Sequence, residues 1–130
     1  MAFFRWLYAA TGPEDAESRF HPDVVLVQTQ EMIGTAGEFH GYEGLAELTA
    51  ELEEAFAELE WNPTEATELE DGRFLVLLEP RVVSNQGVDL SVEIAGGWLG
   101  HLITMHEDGR VLRLETYLDE AKARRAAGLG

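Results

Sequence analysis

Trp98-Leu99-Gly100-His101-Leu102-Ile103-Thr104-Met105-His106, followed by Glu107-Asp108-Gly109-Arg110 and then Val111-Leu112-Arg113-Leu114-Glu115-Thr116-Tyr117-Leu118, is the stretch that decides the fold. Two apolar, β-prone runs flank an Asp-Gly turn, a strong short-range hairpin signal, so two long antiparallel strands are predicted here. With a period of two, His101, Ile103 and Met105 share one face of the first strand. Leu112, Leu114, Thr116 and Leu118 share one face of the second. The result is an apolar wall carrying one titratable group, the pattern of a ligand pocket or of an ordinary sheet core.

Upstream, residues 2 to 10 read as a short helix with Phe3, Trp6, Leu7 and Ala10 on one stripe, stopped by Gly12-Pro13. Trp6 and Tyr8 are either a pocket lid or the anchor of that helix, since aromatic side chains bury so much area. Asp15 to Phe20 reads as one more helical turn, closed by His21-Pro22, and Asp23 to Glu31 as a strand by its β-branched content. Gly34 to Gly41 reads as a loop in which Glu38 and His40 form a solvated pair. Glu43 to Glu60 is the clearest helix: Leu45, Leu48, Leu52, Phe56 and Leu59 recur at three and four, with glutamates opposite. Trp61-Asn62-Pro63 breaks it.

Beyond that break, Thr64 to Leu69, Phe74 to Val83 (kinked at Pro80) and Val88 to Ile94 read as strands. The paired glycines of Ala95-Gly96-Gly97 suggest a bulge or a bend. Asp119 caps a closing helix that ends at Gly128. The order predicts one α+β domain over 1–130, a curved antiparallel sheet wrapped around helices on one face.

Composition narrows the function classes. The 130 residues carry 25 acidic against 9 basic side chains, a formal net charge of −16, which disfavours nucleic acid and anionic membranes as partners. No cysteine is present, so disulfides, thiolate nucleophiles and zinc–thiolate sites are excluded. The apolar opening lacks the charged start of a signal peptide and is interrupted by Arg5. No later run approaches a membrane span, which points to a soluble, cytoplasmic protein. His21, His40, His101 and His106 share no chelating spacing, so no metal is expected, and no phosphate-cradling loop or nucleophile elbow implies a cofactor or covalent catalysis.

Four short motifs in order suggest a family: Phe20-His21-Pro22-Asp23-Val24, Gly37-Glu38-Phe39-His40-Gly41-Tyr42-Glu43-Gly44-Leu45, Glu107-Asp108-Gly109-Arg110-Val111, and Tyr117-Leu118-Asp119 with Ala126-Ala127-Gly128-Leu129. From Phe20 to Leu129 the chain resembles the SnoaL-like branch of the nuclear transport factor 2-like (NTF2-like) superfamily. That resemblance implies a cone with a pocket at its wide end, often dimeric through the outer sheet face. It does not imply one activity, because the superfamily hosts isomerases, epoxide hydrolases, cyclases and binding modules. Aligned with ketosteroid isomerase, the neutral acid of the oxyanion hole falls on His101, and the general-base aspartate falls on Gln28, which cannot abstract a proton. Aligned with limonene epoxide hydrolase, the two aspartates fall near Glu79 and on Thr116, and the arginine near Leu77. The histidine of SnoaL-like cyclases resembles His101 loosely, without a matching aspartate.

Glu79 and His101 both lie mid-strand, one or two strands apart. If both face an apolar cone, they form an acid/base pair with His101 as acid or base and Glu79 orienting it. Otherwise His101 is a satisfied core histidine and Glu79 is exposed. The expected pocket comprises Leu26, Gln28, Glu79, Trp98, His101, Ile103, Met105, Leu114, Thr116 and Leu118, with Trp6 at its lid. It would take an apolar small molecule with one or two polar handles in a cofactor-independent isomerase, cyclase or hydrolase. The alternatives are a binding module without turnover and a dimeric structural module with a filled core. Arg113, Glu115 and Tyr117, on the outward face, suit a homodimer contact about as well as bare solvent.

Overall fold

Period-two alternation, rather than helix propensity, governs most of this chain, and in the computed structural model six strands form one mixed sheet in the order β2-β1-β6-β5-β4-β3. Residues 2–9, 12–28, 37–90 and 99–129 are described. The elements are α1 (Ala2–Tyr8), α2 (Gly12–Arg19), β1 (Phe20–Gln28), β2 (Gly37–His40), α3 (Gly41–Ala55), β3 (Glu58–Glu68), β4 (Phe74–Val83), β5 (Leu99–Met105), β6 (Val111–Tyr117) and α4 (Glu120–Ala126). Neighbours are antiparallel except β1 and β6, which run parallel. The α+β class with a sheet wrapped on helices holds, and the sheet is mixed because the N-terminal strand closes against the last one. No helix among the described residues is long and apolar enough to cross a membrane.

The β5–β6 hairpin forms around Asp108-Gly109, with Gly109 at φ 86°, a left-handed conformation that glycine adopts without cost. His106 donates its backbone N–H to the Arg110 carbonyl at 2.8 Å, closing the turn. The principal core lies on the concave face, where Phe4 and Leu7 of α1 and Leu48 of α3 pack on Val24, Leu26, Val76, Leu78, Leu99, Ile103, Val111 and Leu114.

A second cluster lies on the other face. Leu69, Leu75, Leu77 and Leu102 receive Ala123 and Ala127 of α4, so the helices are not confined to one side. Gly100 makes this approach possible: a Cβ there would come within 2.6 Å of the Ala123 Cβ. Asp119 caps α4, as the sequence suggests, accepting the Ala121 N–H at 2.8 Å.

Several boundaries differ for physical reasons. The long helix ends at Ala55, not Glu60, because Glu58-Leu59-Glu60-Trp61-Asn62-Pro63 alternates outward and inward as strand β3 and pairs along β4. Gly37 to His40 is an edge strand paired with β1. Strand β1 already starts at Phe20 and runs through Pro22. In α1 the buried residues are Phe4 and Leu7, whereas Phe3 and Trp6 are 37% and 43% exposed. The bulge expected at Ala95-Gly96-Gly97 and the end of the strand expected from Val88 lie outside the described residues; Asp89 makes an isolated bridge to Val83.

Candidate functional site

The register of the sheet places one polar row across the apolar concave wall. Val76 of β4 pairs with His101 of β5, His101 with Thr116 of β6, and Thr116 with Gln28 of β1. Directly paired residues project from the same face, so these four side chains stand side by side. Gln28 Nε2 donates to Thr116 Oγ1 at 3.4 Å. The adjacent row is apolar throughout: Phe74, Ile103, Leu114, Leu26 and Phe39. His101 and Thr116 are buried, at 5% and 3% exposure.

The partner of His101 comes from outside the sheet. The Tyr8 hydroxyl, at the end of α1, lies 2.7 Å from His101 Nδ1. The Tyr8 and Trp61 rings flank the imidazole at centroid distances of 5.5 and 5.8 Å. When the Tyr8 hydroxyl donates to Nδ1, the imidazole proton sits on Nε2.

Burial alone sets the electrostatics of the pair. It lowers the His101 pKa to about 3 and raises that of Tyr8 above its ordinary range, so both are neutral at pH 7. An imidazole this weakly basic is a poor general base near neutrality. With Tyr8 oriented onto Nδ1, it is well suited to donate from Nε2 to a ligand oxygen.

The other expected site residues distribute as follows. Leu26 and Leu114 are buried in the concave core, while Met105 and Leu118 pack on it partly buried. Glu79 does not join His101. It is exposed on β4, beside Asn62 of β3, on the face opposite Val76 and Leu78. The expected Glu79–His101 pair is therefore corrected to Tyr8–His101, because Glu79 has the wrong strand parity to reach the cone. Trp6 is half-exposed, with the Arg19 guanidinium 4.3 Å from its ring centroid. Trp98 lies outside the described residues. Tyr8 carries only a generic aromatic signal in the sequence, and no spacing rule links it to His101.

No family model and no curated protein matches this chain. Solved structures do. TerC, crystallised with polyporic acid, is 24% identical, with 98% of this chain and 96% of that one covered at a TM-score of 0.74. An NTF2-like protein of unknown function from Burkholderia pseudomallei is also 24% identical, covering 98% and 95% at 0.71. A ketosteroid isomerase-like protein from Catenulispora acidiphila, in complex with trimethylamine, is 12% identical over 98% and 93% at 0.68. A protein from Mesorhizobium loti described as a SnoaL-like polyketide cyclase is 18% identical over 89% and 92% at 0.63.

Proposed function

Starting from an NTF2-like fold whose structural neighbours include SnoaL-like proteins, we propose that this chain binds an apolar small molecule against the concave wall and polarises its oxygen through the Tyr8–His101 pair. The observation that carries this reading is a neutral histidine, buried on an apolar wall and held by a tyrosine hydroxyl at 2.7 Å. Such a group contributes a directed donor where water does not compete, so its hydrogen bond is stronger than in solvent. Gln28 and Thr116, in the same row, add polar contacts without a base. The pair therefore suits the stabilisation of a carbonyl or enolate oxygen, as in a cofactor-independent isomerisation or cyclisation, better than proton abstraction. Support for the ligand class also comes from a structural neighbour: TerC was crystallised with polyporic acid.

A filled core is the second reading, favoured by the full burial of Val76, Leu99 and Ile103 around the pair. Thermal melting separates the two. Polyporic acid and a panel of steroids and aromatic polyketides are each added to the wild type, His101→Ala and Tyr8→Phe. A ligand present at 100 times its dissociation constant stabilises the wild type by about 2.7 kcal/mol, a shift of several degrees, and both variants are expected to lose most of it. No ligand-dependent shift in the wild type, with midpoints lowered in both variants, identifies the pair as core. Within the binding reading, Arg113 and Glu115 on the outer face are the contact for a second copy, which sedimentation would report as doubled mass.

A further inference from the structure

The mixed sheet brings together three side chains that lie far apart in sequence. Phe20 of β1 pairs with Val111 of β6, which sets the start of β1 beside the β5–β6 turn. His21 and His106 thereby stack at 4.2 Å between ring centroids, tilted by 31°. His21, His106 and Asp108 each present a donor atom, and the three donors all lie within 4.8 Å of one another.

The hydrogen bonding around these rings is informative. His21 Nδ1 accepts the Asp23 N–H at 3.0 Å, and His106 Nδ1 accepts the Asp108 N–H at 3.2 Å. Each ring is thus held with a lone pair on Nδ1. Yet Asp108 Oδ1 also lies 3.2 Å from His106 Nδ1. Both contacts cannot be hydrogen bonds at once, because a proton on Nδ1 that serves the carboxylate would oppose the backbone N–H. With the lone pair on Nδ1, two acceptors lie side by side, each taking one backbone N–H, Oδ1 that of Arg110 at 2.9 Å; a cation between them would bond to both.

The separation also fits an ion. Two donors 3.2 Å apart, each bonded at about 2.0–2.2 Å, subtend roughly 100° at the metal, close to tetrahedral. Arg110 grips Asp108 Oδ2 at 2.7 Å, which leaves Oδ1 turned toward His106.

We propose that His21, His106 and Asp108 form a binding site for a divalent transition-metal ion of the zinc class. Two imidazoles and a carboxylate are a borderline nitrogen/oxygen set, which suits such ions better than calcium or magnesium. To bind, the His106 lone pair turns from the Asp108 N–H to the ion, and the His21 ring closes the remaining distance. His106 lies five positions beyond His101, roughly 16 Å along the strand, so this site is independent of the Tyr8–His101 pair. Its effect is to staple the start of β1 to the β5–β6 turn.

The test is a titration of untagged, chelator-treated protein with zinc sulfate, observed at the histidine ring nitrogens by NMR. The chain has four histidines, so each is its own reporter. The expected result is saturable shifts of His21 and His106 at one ion per chain, with His40 and His101 unchanged. His21→Ala and His106→Ala should each weaken binding at least about tenfold and abolish any zinc-dependent rise in melting midpoint. Zinc bound with the His21 and His106 rings unmoved, or with undiminished affinity in both variants, overturns the proposal. So does the absence of any ring shift in the wild type, a readout that does not depend on a variant folding.

Discussion

Acidification from pH 7 to pH 4 is expected to remove about 3 kcal/mol of stability through His101 alone. In the folded chain burial holds the imidazole pKa at about 3, against 6.5 for an ordinary histidine. The unfolded chain therefore binds one more proton than the folded chain between those values. Stability from this group is complete above about pH 6.5 and falls by about 1.4 kcal/mol per pH unit until the folded pKa is reached. Urea unfolding across this range, in wild type and in His101→Gln, isolates the effect, because the many carboxylates titrate alike in both. The wild-type curve should steepen relative to the variant below pH 6. Parallel curves would mean that His101 is solvated or protonated in the native state.

Ile103→Ala should cost about 2–5 kcal/mol, lowering the urea midpoint with little change in slope. Ile103 has no exposure and sits in the apolar row between Phe74 and Leu114, so truncation leaves a void that α1 and α3 cannot collapse into without losing their own contacts. Glu79→Ala provides the matched control on the opposite face. Being exposed, it should change stability by no more than about 0.5 kcal/mol and leave ligand-dependent melting intact. A large loss from Glu79→Ala would restore a role for that carboxylate.

The hairpin was legible because Asp108-Gly109 fixes the turn and the flanking runs alternate cleanly. His101, Ile103, Leu114 and Thr116 accordingly share the concave face as the sequence suggests. Leu112 alone falls out of that count, because a register shift after Thr104 pairs Met105 with Val111 and passes over Leu112, while Met105 still packs on the concave core. Glu79 is hard to place from sequence for a different reason. Leu75, Val76, Leu77 and Leu78 are all buried, since α4 covers one face and the cone the other, and a strand buried on both sides carries no parity signal.

The N-terminal helix posed a similar ambiguity. Phe3, Phe4, Trp6, Leu7 and Tyr8 surround α1, and seven residues are too few to choose the buried stripe from spacing. That is why Tyr8 could be named as aromatic cover but not as the partner of His101. The short, polar β2 looks like loop until it is paired, and the glutamates of Glu58 and Glu60 continue a helical composition into what is strand. The meeting of His21 and His106 depends on the parallel pairing of β1 with β6, a long-range fact that local spacing does not encode.

The most direct measurement of the central claim follows the His101 ring nitrogens by NMR at pH 7 while a ligand that stabilises the wild type, polyporic acid first, is titrated in. The expected result is a neutral ring with its proton on Nε2 before addition, then a saturable shift of Nε2 that tracks the stabilisation, while His40 stays fixed. A ligand that saturates the protein and leaves the His101 ring unchanged would contradict it, placing the binding surface elsewhere and leaving Tyr8–His101 as a packed core pair.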